Sequence, residues 1–311
     1  MLIKDPPVEI IDNLYMLGVN AYPCFLFKGE NEGLIFEGAT GAVGQLTMQQ
    51  LDELGLSGDY IKRLVVTHAH PDHVMAIPVF QKMNPAIKVL ASEASAQTLA
   101  SEQAMTFFCG VDGALTDSLA KMRAVKEEHT PEPLSEMKIA VDEIIKEGDT
   151  IDVGDQASFS VIETPGHSHC SLSFYEASRK VLIISDATGY YLPELKYWWP
   201  NYFADYGKYI SSMERLATYD AEVLCLSHNG VIQGAEEIRD YFAGAIADAK
   251  AYHQRIIDEI KAGKDLHQLA GELGAEVYEK TQLLPLDFFQ KNSGMLIKRS
   301  LKHEGMGQDK K

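Results

Sequence analysis

Three of the ten histidines in this 311-residue chain fall within six positions, in His68-Ala69-His70-Pro71-Asp72-His73. They follow Ile61–Thr67, a β-branched run that reads as a buried strand. Residues two apart on an extended chain point to the same side, so His68 and His70 can close on one ion. Pro71 turns the chain, and Asp72 with His73 can then face a second ion. Imidazole and carboxylate are suitable ligands for zinc, ferrous iron or manganese. A chain built this way must fold so that strand ends converge.

One such cluster does not complete two coordination spheres, and the remaining ligands should lie on other strand ends. Three candidates follow strand-like runs directly. Thr164-Pro165-Gly166-His167 follows Phe159–Glu163, Ser185-Asp186 follows Val181–Ile184, and Ser227-His228 follows Val223–Leu226. An apolar strand with His or Asp at its end, repeated, is what a site at the mouth of a sheet sandwich requires.

The surrounding pattern agrees with such an architecture. Leu14–Leu17, Cys24–Phe27 and Gly33–Phe36 read as a meander of short strands. Thr47–Leu54 carries helical spacing and stops at Gly55. Val74–Met83 reads as helical and Ile87–Ser92 as a strand. Residues 93–143 look like two or three helices inserted between strand-rich halves. Strands return at Ile144–Ile151, Ala157–Glu163, Ser171–Tyr175, Val181–Ser185 and Glu222–Leu226. Helical spacing then covers Ala235–Lys261, Asp265–Leu273 and Pro285–Leu301, and the polar tail Lys302–Lys311 reads as disordered. The expectation is an α/β chain of two packed sheets with helices outside, over residues 1–234, and a helical cap over 235–311.

Composition narrows the functional classes. With 28 basic and 45 acidic residues the net charge is −17, a field that repels a nucleic acid backbone. No stretch reaches the roughly 18 apolar residues of a membrane span. Cys24, Cys109, Cys170 and Cys225 show no CxxC spacing and read as free thiols of a reducing compartment. The N-terminus MLIKDPPVEI lacks the apolar core of a signal peptide, so the expected location is cytoplasmic.

Taken in order, THAHPDH, TPGHS, SDA and SHNG resemble the metallo-β-lactamase superfamily over roughly residues 8–234. The resemblance implies an αββα sandwich with two divalent metal ions between the sheets, zinc foremost, with iron or manganese as alternatives. By resemblance, His68, His70 and His167 hold the first ion, Asp72, His73 and His228 the second, and Asp186 bridges them. Asp72 and Asp186 are then also the catalytic carboxylates. It further implies a hydrolase in which water shared by the ions is deprotonated near neutral pH and attacks a carbonyl.

The THAHPDH motif, a Val89-Leu90-Ala91-Ser92-Glu93 stretch, a helical insertion and closing helices resemble the acyl thioesterase subgroup that includes the quinolone-signal biosynthesis thioesterase. That makes a small-molecule acyl thioester of the acyl-CoA kind the expected substrate, ahead of a lactone or hydroxyacylglutathione. Residues 189–209 are unusually aromatic. Tyr190, Tyr191 and Trp198 within them, and Phe289 further on, are candidate substrate contacts; the competing reading is plain packing on the tail helices. Those helices read either as a cover over the cleft or as a homodimer contact. Two classes compete with a hydrolase: a mono-iron persulfide dioxygenase, and an interaction protein with a vestigial site.

Overall fold

The computed structural model describes residues 1–306. In chain order its elements are β1 (Leu2–Ile3), β2 (Val8–Ile11), β3 (Leu14–Val19), β4 (Tyr22–Lys28), β5 (Gly33–Phe36), α1 (Gly41–Glu53), β6 (Ile61–Val65), α2 (Ile77–Met83), β7 (Lys88–Ala91), α3 (Glu93–Leu99), α4 (Glu102–Lys121), β8 (Glu143–Ile144), β9 (Thr150–Val153), β10 (Ala157–Glu163), β11 (Leu172–Glu176) and β12 (Val181–Ile183). The remainder are β13 (Tyr190–Leu192), β14 (Tyr197–Trp199), α5 (Tyr206–Leu216), β15 (Val223–Cys225), β16 (Val231–Gln233), α6 (Ala235–Lys261), α7 (Leu266–Thr281) and α8 (Leu286–His303). No described helix is long and apolar enough to cross a membrane.

The chain clusters into two compact units. The first comprises 1–163, 170–185 and 220–238; the second comprises 164–169, 186–219 and 239 onward.

The first unit holds two seven-stranded sheets, ordered β2-β3-β4-β5-β6-β7-β8 and β1-β16-β15-β12-β11-β10-β9. Register lines one apolar row across each. In the first sheet Met16, Phe25, Phe36, Val65 and Leu90 are successive cross-strand partners. In the second, Val161, Phe174, Ile183, Cys225 and Val231 form the matching row. Both rows belong to one buried cluster, so the core lies between the sheets. Phe36 bridges them, with ring centroids 4.8 Å from Phe159 and 5.0 Å from Phe174. Burying aromatic area of this kind stabilises a core by about 1.5–3 kcal/mol per side chain.

Within these sheets β5, β6 and β7 run parallel, as do β12 and β15. Parallel strands present their carboxyl ends at one edge, the place where α/β sheets collect functional groups. Those ends lead into Glu37, His68, Ser185 and His228.

Several sequence expectations need correction in detail. Ile144–Ile151 is not one strand. It breaks at Gly148, which has φ +86°, and its two parts belong to different sheets, β8 to the first and β9 to the second. The 93–143 block is helical only as far as Lys121, apart from a short turn at Glu127–His129, and 130–142 carry no regular structure around Pro131 and Pro133. The helix expected over Val74–Met83 begins at Ile77, where Pro78 sits in its first turn. The tail expected to be disordered is helical at Lys302 and His303, and 307–311 lie outside the described residues.

The second unit packs the β13–β14 hairpin with helices around Tyr202, Tyr209, Leu273 and Leu296. α7 and α8 approach closely at Gly274, where a side chain would fall on the backbone of Gln290.

Candidate metal centre

The sequence-derived ligands divide between the units. His68, His70, Asp72, His73 and His228 belong to the first, and His167 with Asp186 to the second.

In the first unit all five converge. His68 Nε2 lies 3.0 Å from His70 Nδ1. Asp72 Oδ2 lies 3.4 Å from His73 Nε2 and 3.7 Å from His228 Nε2. Ligand atoms of Asp72, His73 and His228 all fall within 4.8 Å of one another. The rings of His68 and His73 stand 4.1 Å apart, and those of His73 and His228 5.3 Å apart. In the second unit His167 Nε2 is 3.3 Å from Asp186 Oδ2. Two donors each about 2.1 Å from a common ion at a tetrahedral angle lie about 3.4 Å apart, so these spacings are those of a coordination shell.

The far side of each ring explains how the donors are aimed. His228 Nδ1–H donates to Ala21 O at 2.7 Å, and His167 Nδ1–H donates to Asn201 O at 2.8 Å. A carbonyl accepts only, so both rings carry a proton on Nδ1 and turn Nε2 toward a carboxylate, Asp72 for His228 and Asp186 for His167. His73 Nδ1 lies 2.7 Å from Glu37 Oε2. His68 Nδ1 lies 2.9 Å from Ser185 Oγ, which donates to Thr67 Oγ1 at 2.8 Å, which in turn donates to Glu37 Oε2 at 2.9 Å. One carboxylate therefore terminates the donor chains of two imidazoles and sets both tautomers. This donor set fits divalent transition-metal ions: clustered imidazole nitrogens, carboxylates among them, and protein acceptors behind the rings.

Glu37 is the functional residue that sequence reasoning missed. It is 1% exposed and held at φ +74°, a region costly for a residue with a side chain. The signal was present: Glu37 follows the apolar run of β5, as His and Asp follow the other strands. With burial, its charge pushes the neighbouring Cys24 thiol up to about 12.

Local structure builds each arm. His70 caps the short turn Pro71–His73, whose prolyl ring fixes the first helical residue. Ala69 N–H donates to Cys170 Sγ at 3.4 Å, between His68 and His70. Asp112, on α4, accepts Gly41 N–H at 2.8 Å, at the first turn of α1. In the second unit Gly166, at φ +139°, lets the loop before His167 run against the backbone of Tyr209. Ser212 Oγ donates to Pro165 O at 2.7 Å, and Ala204 and Asp205 N–H donate to Gly166 O at 3.1 and 3.0 Å.

The candidate substrate residues lie in the second unit. Tyr190 and Phe289 are buried in its core. Tyr191 is half-buried and stacks on Trp198 at 4.4 Å, and Phe289 packs on Trp199 at 5.4 Å. Burial raises the Tyr191 phenol above its usual range. His169 is exposed.

Comparison with known proteins agrees with this fold. Among solved structures, a metallo-beta-lactamase family protein from Thermus thermophilus superposes with a TM-score of 0.64 at 21% identity, covering 96% of this chain and 95% of that one. A subclass B3 metallo-beta-lactamase of Bradyrhizobium japonicum superposes with a TM-score of 0.59 at 19% identity, covering 84% and 97%. At these identities the likeness is one of fold. The uncharacterized protein YobT of Bacillus subtilis (strain 168) is 23% identical over 169 residues, which span 53% of this chain and 60% of that protein's length. The family model for the metallo-beta-lactamase superfamily matches residues 17–228, more than half of the chain and the whole ordered set from the first histidine motif to His228. With that match, the chain belongs to the metallo-beta-lactamase superfamily.

Proposed function

We propose that the protein is a dinuclear metal-dependent hydrolase of acyl thioesters. As the family resemblance implies, His68, His70 and His167 would hold one divalent ion, Asp72, His73 and His228 the other, and Asp186 would serve both. The observation that carries the reading is the fixed tautomer of the imidazoles. Glu37, Ala21 O and Asn201 O occupy ring nitrogens on the far side and aim the opposite nitrogens at the other donors.

When bound, such a pair supplies an acidified water and polarises the carbonyl under attack. The chain's residues do the rest. Asp72 and Asp186 offset cation charge and orient the nucleophile through their carboxylate oxygens. To Asp72, whose side chain is 24% exposed, we also assign the passing of a proton to the leaving group. A thiolate leaves with little acid assistance, which suits a site whose donors are mostly imidazole. A thioester substrate is further supported by the resemblance of the motif set, insertion and closing helices to acyl thioesterases.

The test is a panel of acyl-CoA, lactone and phosphodiester substrates with the zinc-loaded protein. Acyl-CoA should be preferred, and His68→Ala or Asp186→Ala should cut turnover by several orders of magnitude with the fold intact. Preference for a lactone would replace the thioester assignment. Undiminished rates in the metal-stripped protein would defeat the hydrolytic mechanism.

A further inference from the structure

Four arginines are half-buried. Arg63 pairs with Glu32 at 2.9 Å, Arg179 with Glu176 at 3.7 Å, and Arg255 with Glu276 at 2.7 Å. The fourth, Arg299 on α8, pairs with no carboxylate among the described residues. In a chain with 45 acidic and 28 basic side chains, an uncommitted guanidinium runs against composition. Its Nε–H is engaged by Phe203 O at 2.7 Å. That bond fixes the guanidinium and leaves Nη1 and Nη2 as a two-pronged donor, the geometry that matches a carboxylate or phosphate.

Its anchor is a residue of the candidate site. The Phe203 ring packs on His167 at 5.4 Å, and Asn201 O orients the same imidazole. The segment 199–203 carries two more unspent polar groups. Trp199 Nε1 and Asn201 Oδ1 are buried without a hydrogen-bond partner, on residues only 5% and 6% exposed. A buried polar group left unpaired carries an uncompensated desolvation cost unless a ligand meets it; the Trp199 N–H can donate to an anion, and the Asn201 oxygen can accept only from a donor elsewhere on the ligand. Trp199 also packs between Phe203 and Phe289, which gives the segment an aromatic face.

We infer that segment 199–203 with Arg299 recognises an anionic group of the substrate, a carboxylate or phosphate held two-pronged by the guanidinium, beside an apolar portion lying on the partly exposed Phe203 ring. This rests on the thioester reading and deepens it. The substrate is an acyl thioester carrying negative charge, either as a carboxylate on the acyl side or as phosphate on the leaving thiol. Arg299 is thereby a specificity residue, and the chemistry at the donor cluster does not require it.

Trp198 and Trp199 are the only tryptophans, so their fluorescence reports on this segment. Metal-stripped protein is titrated with coenzyme A, with pantetheine, which has the same thiol arm without phosphate, and with glutarate. Coenzyme A or glutarate should bind tighter than pantetheine, and the one that does identifies the source of the charge. Arg299→Gln should weaken that ligand about ten- to a hundredfold and leave pantetheine unchanged. Arg299→Lys should retain part of the affinity, and Lys298→Gln, on the exposed neighbour, all of it. Equal binding of all three probes, or an equal loss for all three in Arg299→Gln, would overturn the inference. Because binding is read without turnover, a protein that selects the anion but cleaves no thioester would sink the thioester reading alone. One that cleaves a neutral acyl-N-acetylcysteamine but selects no anion would sink this inference alone.

Discussion

Glu37 Oε2 stands 2.7 Å from His73 Nδ1, and the same oxygen accepts the Thr67 hydroxyl that ends the chain from His68. Two imidazoles from the HAHPDH turn thus depend on one buried carboxylate. It is contributed by the end of a neighbouring parallel strand, β5. Glu37→Gln removes the charge while keeping the size. It should lower metal affinity about 10- to 100-fold, as loss of such supporting partners does. Competition with a zinc chelator measures it. Unchanged affinity would show that His68 and His73 are oriented by their backbone alone.

Asp112 offers a pH-dependent test. Burial, reinforced by the charge of Asp72 and partly countered by the Gly41 N–H, raises its carboxyl to about 6. An acid whose folded pKa is raised gives stability below its unfolded pKa of about 3.9 and loses it as pH rises to the folded value. Ionised Asp112 therefore weighs against folding above about pH 6, by up to about 3 kcal/mol at roughly 1.4 kcal/mol per unit. Asn keeps an acceptor for Gly41 N–H and carries no charge. Asp112→Asn should be more stable than the parent at pH 8 and nearly equal to it at pH 4, by urea unfolding in the presence of chelator. A variant less stable than the parent at pH 8 would contradict this.

Gly166 tests the second-unit arm. A methyl group there would fall on the backbone of Tyr209, and the φ of +139° is itself strained for any other residue. Gly166→Ala should displace the loop that carries His167. We expect at least a tenfold loss of metal affinity with secondary structure retained by circular dichroism. Retention of parental affinity would mean that the loop absorbs the change.

The four free thiols should separate by reactivity. Burial, with Glu37 close by, holds Cys24 as a thiol at about 12, and burial raises Cys225 higher still. Cys109 and Cys170 are partly exposed. Iodoacetamide at pH 8 should label Cys109 and Cys170 first, with Cys24 and Cys225 modified only on unfolding, by mass spectrometry. Rapid labelling of Cys24 would contradict its placement behind Glu37.

What was legible in the sequence follows from what each residue has to do alone. Gly33–Phe36 and Ala157–Glu163 are found as read, because turn residues bound a run whose burial needs no partner to recognise. The histidine motifs were legible because imidazole is scarce and its spacing is informative. Elements whose identity depends on pairing were not. The three-residue β16 is a strand only because β15 and β1 lie beside it, and the β13–β14 hairpin was hidden in an aromatic run. The division of Ile144–Ile151 between two sheets depends on Gly148, one glycine whose positive φ the sequence permits but does not demand. Glu37 escaped for a related reason: a lone acidic residue after a strand reads as an ordinary turn until its partner His73 is placed beside it.

Whether these donors hold divalent ions is decided by counting the metal that stays with the protein. Purified protein loaded with zinc and dialysed should retain about two equivalents per chain by elemental analysis, the content of a two-metal site. His73→Ala should retain about one. No retained transition metal after loading with zinc, iron or manganese would rule out a metal site, and would leave a superfamily fold whose clustered imidazoles serve another purpose.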